Sequence, residues 1–242
     1  MENESEPLKS SDCVVVIPAY QPTKKLAEMV MDLSESGYAA LVVDDGSDRD
    51  CLSIWQEIDS VAAVLHHAHN QGKGAALKTA FCHIRDNMPY IRCIITMDAD
   101  GQHLMSDMQK VALCSLKNSG ALVLGSRAFD QNVPLRSKLG NTITRFVFLC
   151  VARYKIQDTQ TGLRAFDRSL LDYMLSTPGE RYEYEMNVLL GCKENGISVL
   201  EVPIQTIYLD NNSSSHFNAV RDSAIVYKNI LKHAFTPSHR KG

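Results

Sequence analysis

What the sequence lacks narrows it first. No stretch approaches the roughly 18–20 apolar residues that a membrane-spanning helix needs, and the nearest run, 146–152, is far too short. Residues 1–12 are acidic and polar with no apolar centre, so they do not read as a signal peptide. The seven cysteines (Cys13, Cys51, Cys82, Cys93, Cys114, Cys150 and Cys192) are scattered, odd in number and contain no Cys-x-x-Cys pair. That argues against a zinc site or a disulfide framework and for reduced thiols in the cytosol. Excess basic charge is missing too. The 25 Lys and Arg against 28 Asp and Glu leave a formal net charge of -3, which does not suggest a bulk nucleic-acid binder. There is no internal repeat and no low-complexity segment.

What remains is ordinary globular material, 45% hydrophobic and 22% charged over 242 residues. That length fits one large domain or a domain with an appendage. It buries roughly 70% of its unfolded surface without a disulfide or metal staple. Short β-branched or apolar runs at 13–18, 40–43, 61–65, 93–97 and 121–125 read as strands. Helical spacing fills the gaps at 24–36, 51–60, 74–86 and 106–117. This alternation predicts βαβ units and a mostly parallel α/β sheet flanked by helices. Later, 182–194 and 219–232 read as helices and 199–207 as a strand.

Ligands of open α/β sheets collect at the carboxyl ends of the strands, and three polar clusters fall there. Pro18-Ala19-Tyr20 ends the first strand, Asp44-Asp45-Gly46-Ser47 the second, and Asp98-Ala99-Asp100-Gly101-Gln102-His103 the fourth. Alternate carboxylates such as Asp98 and Asp100 suit Mg²⁺ or Mn²⁺, held by one or two carboxylates together with substrate phosphates. The competing reading is a solvated acidic turn. Asp44 and Asp45 could accept from a base or ribose, or simply cap a turn or helix. The loop Asn70-Gln71-Gly72-Lys73-Gly74 precedes a helix whose N-terminus favours anions. It lacks the Walker A spacing and the full dinucleotide fingerprint.

These motifs, in this order and spacing, resemble glycosyltransferase family 2, and specifically its dolichyl-phosphate mannose synthase-like and bactoprenol glucosyltransferase-like enzymes. The likeness continues through Gly125-Ser126-Arg127, the segment Asp158-Thr159-Gln160-Thr161-Gly162-Leu163-Arg164-Ala165, and Glu201-Val202-Pro203-Ile204. It implies a GT-A fold, Rossmann-like and single-domain, over 13–232. A nucleotide-sugar-binding half would span 13–128 and an acceptor-binding half 129–232, with tails at 1–12 and 233–242. It implies a nucleotide-sugar donor, UDP-glucose or GDP-mannose, and a Mg²⁺ or Mn²⁺ cofactor. Pro18, Tyr20, Asp44, Asp45, Lys73 and Asp98 would bind the donor. Asp98, Asp100 and Gln102 would surround the metal, with Asp100 and Arg127 as the catalytic pair.

The acceptor implied by the resemblance is a polyprenyl phosphate, reached with inversion. Residues 133–155 carry Arg136, Lys138, Arg145, Arg153 and Lys155 among apolar residues and no acid. That composition predicts one or two basic amphipathic helices suited to a lipid phosphate and an anionic membrane surface, or helices that merely cover a core. Expected acceptor contacts are Arg136, Arg145, Glu183 and Ser215. Glu183 or Glu185 would instead serve as base for a hydroxyl acceptor on a soluble glycan or surface polysaccharide, or mark a capped helix start. A phosphate acceptor, already largely ionised near neutral pH, needs no base. A non-catalytic nucleotide-sugar sensor is the remaining reading. Many relatives carry membrane helices after the catalytic domain. Without them, the expectation is a peripheral protein on the cytoplasmic face of the membrane, or one with a separate membrane partner.

Overall fold

The apolar runs become strands where expected. The computed structural model describes residues 10–127 and 154–205. The strands are β1 (Cys13–Ala19), β2 (Ala39–Asp44), β3 (Ala62–His66), β4 (Cys93–Thr96), β5 (Ala121–Arg127), β6 (Arg164–Asp167) and β7 (Ser198–Ile204). Their order in the sheet is β3-β2-β1-β4-β6-β5-β7. β1 pairs in parallel with β2 and β4, β2 with β3, and β5 with β7. Only β6 runs against its neighbours among these strands, antiparallel to both β4 and β5.

That reversal differs from a run of uninterrupted βαβ units. β6 spans four residues with Arg164 and Asp167 at its ends, too short and too charged for the strand pattern to register. It enters between β4 and β5 and so brings the 158–163 segment to the carboxyl end of β4. The short helix after it was not expected either.

The helices are α1 (Lys24–Glu35), α2 (Leu52–Ile58), α3 (Lys73–Asn87), α4 (Met105–Lys117), α5 (Leu171–Ser176) and α6 (Glu183–Cys192). Side chains alternate across a strand with period two, which divides the core. Val14, Val16, Leu41 and Val43 face α3, α5 and α6 through Ala76, Phe81, Met174 and Leu189. Cys13, Val15, Ile17, Ala40 and Val42 face α1, α2 and α4 through Leu26, Val30, Trp55 and Val111. Because both faces are covered, the strands read as near-continuous apolar runs.

Two side chains lock distant parts of this frame. Arg168 donates to the carbonyls of Ile84, Arg85 and Met88 at the end of α3, tying the last turn of that helix to the end of β6. Asp107 is fully buried and accepts from Lys110 and from the backbone N–H of Gln205. Residues Ser10–Asp12 form a 3-10 turn inside the expected N-terminal tail. The expected helix 219–232, nearly all of the basic segment 133–155, Arg136, Arg145 and Ser215 lie outside the described residues. Among the described residues, no helix is long and apolar enough to cross a membrane.

Candidate active site

The carboxyl ends of β1, β2 and β4 meet along one edge of the sheet. Pro18 is half-buried in β1, and Tyr20, just beyond it, is 38% exposed. Asp44 ends β2 and Asp45 follows it; both are buried. Asp44 accepts from the Ser47 N–H and from His66 Nδ1, each at 2.8 Å. Asp45 Oδ1 accepts from the Gln71 N–H and from His67 Nδ1, and its Oδ2 from the Gly72 N–H, all at 2.8 Å. His67 Nε2 pairs with Thr79 Oγ1 at 2.9 Å. The Asp45 carboxylate therefore anchors the loop that leads into Lys73.

That loop must come very close to the 180–184 segment. Gly72 has φ +110°, and a Cβ there would lie 2.5 Å from the Glu180 carbonyl oxygen. A Cβ on Gly74 would lie 2.5 Å from the Tyr184 Cβ. Only glycine permits this approach. Ala75 N–H then donates to the Glu180 oxygen at 2.8 Å, which seats the start of α6 on the start of α3.

The consequence is a half-buried charge cluster. Lys73 Nζ lies 2.7 Å from Asp98 Oδ1 and 2.7 Å from Glu185 Oε2. Burial alone would lower the Lys73 pKa, but Asp98 and Glu185 outweigh it and hold it above the usual lysine range. Burial opposes ionisation of Asp98, yet Lys73, His103 and Arg127 outweigh it and hold its carboxyl down at about 2. Behind Glu185 stands Arg164, with Nε 3.8 Å from Oε1 and Nη1 donating to the Glu185 carbonyl at 2.9 Å.

Asp98 lies directly over the backbone of Gly162, where an added Cβ would sit 2.1 Å from Oδ2. Thr96 Oγ1 donates to the Gly162 carbonyl at 2.9 Å, fixing that backbone to β4. Asp100 accepts from the Gln102 N–H at 3.0 Å, and burial with the adjacent Asp98 raises its pKa. His103 is pushed down by burial, and its Nδ1 is buried with no hydrogen-bond partner among the described residues. Arg127 ends β5 and grips the fully buried Asp158, with Nε to Oδ2 at 2.6 Å and Nη2 to Oδ1 at 3.1 Å.

These residues fit a hard divalent cation. Two carboxylates and an orphaned imidazole nitrogen share the end of β4, and the missing side chain at Gly162 is what lets the Asp98 carboxylate lie there. Among the described residues, no three His, Cys, Asp or Glu side chains form a preassembled metal cage. A site of one or two carboxylates completed by substrate phosphates has that form.

Of the sequence-derived candidates, the structure brings Asp98, Asp100, Lys73 and Arg127 into one electrostatic neighbourhood. Pro18, Tyr20, Asp44 and Asp45 line the adjoining strand ends. Gln102 follows Asp100 in the same turn. Glu183 shows the capped helix start that the sequence also allowed. Its Oε1 accepts from the N–H groups of Glu180 and Arg181 at 3.1 and 3.3 Å, the role of an acid at a helix start. Glu185, two residues on, is the one that reaches the cluster. Sequence reasoning gave no role to Asp158, Gly162 or His67. The first two sit inside a quoted motif, whereas His67 carried no signal.

The model of the family described as "Glycosyl transferase family 2" matches residues 14–175. The chain belongs to that family. This family-2 enzyme is a glycosyltransferase, and its fold is GT-A. An uncharacterized protein of Methanocaldococcus jannaschii is 32% identical to it, over 94% of this chain and 95% of that protein. The UDP-N-acetylglucosamine–dolichyl-phosphate N-acetylglucosaminyltransferase of Methanococcus voltae is 29% identical, over 90% and 94%. The dolichyl-phosphate beta-glucosyltransferase of Saccharomyces cerevisiae is 29% identical, over 82% and 67%. Among solved structures, glucosyl-3-phosphoglycerate synthase of Mycobacterium tuberculosis, in complex with Mn²⁺, UDP and phosphoglyceric acid, superposes with a TM-score of 0.70. It is 18% identical, over 94% of this chain and 80% of that one, so the likeness is one of fold.

Proposed function

We propose that this enzyme transfers a hexose or N-acetylhexosamine from a nucleotide-sugar to a polyprenyl phosphate, with a divalent cation at Asp98 and Asp100. The observation that carries the reading is the pair Asp98 and Asp100 at the end of β4, with Lys73 2.7 Å from Asp98 and Arg127, at the end of β5, acting on the same carboxylate. The named relatives act on dolichyl phosphate, and one uses a UDP-sugar, which favours a uridine nucleotide over a guanosine one.

Each side chain then has a task. Asp98, Asp100 and Gln102 hold the cation, which when bound offsets diphosphate charge and stabilises the departing nucleoside diphosphate. Lys73, at the N-terminus of α3, adds positive charge on the donor side. Arg127, aligned by Asp158, supplies a fixed guanidinium for phosphate oxygens. The acceptor phosphate is its own nucleophile, already ionised, so the reaction needs alignment and charge stabilisation rather than a base. Glu185 suits that reading, since its carboxylate is committed to Lys73. Arg136, Arg145 and Ser215 are proposed to receive the acceptor from outside the described residues, at a membrane surface on the cytoplasmic side.

The test is transfer of label from UDP-glucose, UDP-N-acetylglucosamine or GDP-mannose, with Mn²⁺ or Mg²⁺, to dolichyl or undecaprenyl phosphate. Label should pass into the organic phase in a metal-dependent way. Label on a soluble glycan, and none in lipid with any donor, would replace this reading with transfer to a sugar hydroxyl.

A further inference from the structure

The two carboxylates that share Lys73 are not equivalent. Asp98 stands at the mouth of the site beside Asp100 and His103, and its side chain is 33% exposed. Glu185 is 12% exposed and is mounted from behind. Arg164 donates to its carbonyl through Nη1 and to the Thr161 carbonyl through Nε at 3.0 Å. Glu185 Oε2 takes the ammonium, while its Oε1 is buried without a hydrogen-bond partner among the described residues. Both Glu185 and Arg164 border a cavity of about 20 Å³, together with Thr96, Phe81 and Tyr184. Oε1 instead faces Arg164 Nε at 3.8 Å, outside hydrogen-bond reach, so Glu185 holds the ammonium from a fixed support, next to a lysine whose other partner is the carboxylate open to ligands.

We infer that Glu185 is a positioning residue that retains Lys73 when a divalent cation claims Asp98, so that Lys73 stands in for the cation until it arrives. The inference rests on the cation site proposed above. Its physical basis is competition, because an ammonium and a divalent ion both seek Asp98. Cation entry is easier when the displaced ammonium keeps a second carboxylate. A lysine with Asp98 as its sole anionic partner would resist displacement. Glu185 therefore favours cation binding through Lys73, not by touching the cation.

A double-mutant cycle separates that route from a general loss of negative charge. Mn²⁺ affinity is read from the electron paramagnetic resonance of free Mn²⁺, using the full chain saturated with UDP or GDP, whichever raises the wild-type Tm more. Glu185→Gln should weaken Mn²⁺ binding roughly tenfold, within the range of coupling for contacting residues. In a Lys73→Met background the same change should alter it less than about twofold, the additive limit. Equal weakening in both backgrounds, or none in either, would overturn the inference and leave the proposed function standing. A wild-type protein that binds no Mn²⁺ with either nucleotide would sink the proposed function itself. If Glu185→Gln does not fold, Glu185→Asp, which keeps the charge but shortens the reach, is read in the same cycle by the same criteria.

Discussion

At the scale of single residues, Asp98 is the junction of charge and shape. Its carboxyl is held at about 2 in the folded protein, below the ordinary value of 3.8. A depressed carboxylate stabilises the fold above its unfolded pKa and loses that contribution as pH falls through the folded one. Lys73, shifted the other way, stays charged across this window. Between pH 4 and pH 2 the wild-type Tm should therefore fall more steeply than that of Asp98→Asn. Parallel curves in thermal denaturation would show that the Lys73 pair adds nothing to stability. Gly162 tests the shape side. Gly162→Ala places a methyl 2.1–2.4 Å from the Asp98 carboxylate atoms, so either Asp98 or the backbone must shift. The expected result is a loss of about 1–3 kcal/mol on urea unfolding. Mn²⁺-dependent turnover should fall at least tenfold, because Asp98 can no longer lie over that backbone.

At the scale of elements, the first half was legible because its signals are local. The run ending at Ala19 and the spacing of Leu26, Met29, Val30 and Leu33 each announce their own element. β6 was not legible, since four residues with charged ends take their strand character from β4 and β5, not from themselves. The site divides in the same way. Asp98, Asp100 and Lys73 sit in recognisable motifs, but the meeting of Lys73 with Glu185 depends on Gly72 and Gly74 accepting Glu180 more than a hundred residues away. No local pattern encodes that contact, which is why Glu183 and Glu185 were equivalent on paper. Asp45 holds the arrangement together, so Asp45→Ala should leave the Gln71 and Gly72 N–H groups and His67 without their acceptor. About 3 kcal/mol of stability should be lost, the scale of orphaning several buried donors. Hydrogen exchange at Gln71 and Gly72 should accelerate more than at β1 amides. Uniform acceleration would mean that Asp45 supports the whole sheet rather than this loop.

At the scale of the whole molecule, the proposed lipid acceptor raises a question of charge. The net charge of -3 gives no overall attraction to acidic lipid, so any membrane affinity must be local. The acid-free segment 133–155, with Arg136, Lys138 and Arg145 among Leu139, Ile143 and Phe146, is the part of the sequence suited to it. Each basic residue near an anionic leaflet contributes about 1 kcal/mol. Replacing Arg136, Lys138 and Arg145 with glutamine should therefore weaken binding to phosphatidylserine vesicles by roughly 100-fold. Binding to neutral phosphatidylcholine vesicles should change little. Salt should weaken the wild-type interaction and hardly touch the variant, because screening acts on the charges that were removed. Vesicle flotation at low and physiological ionic strength reads all three comparisons. A wild-type protein that floats equally with neutral and acidic vesicles would assign the affinity to apolar insertion, and one that floats with neither would place lipid delivery in the hands of a separate membrane partner.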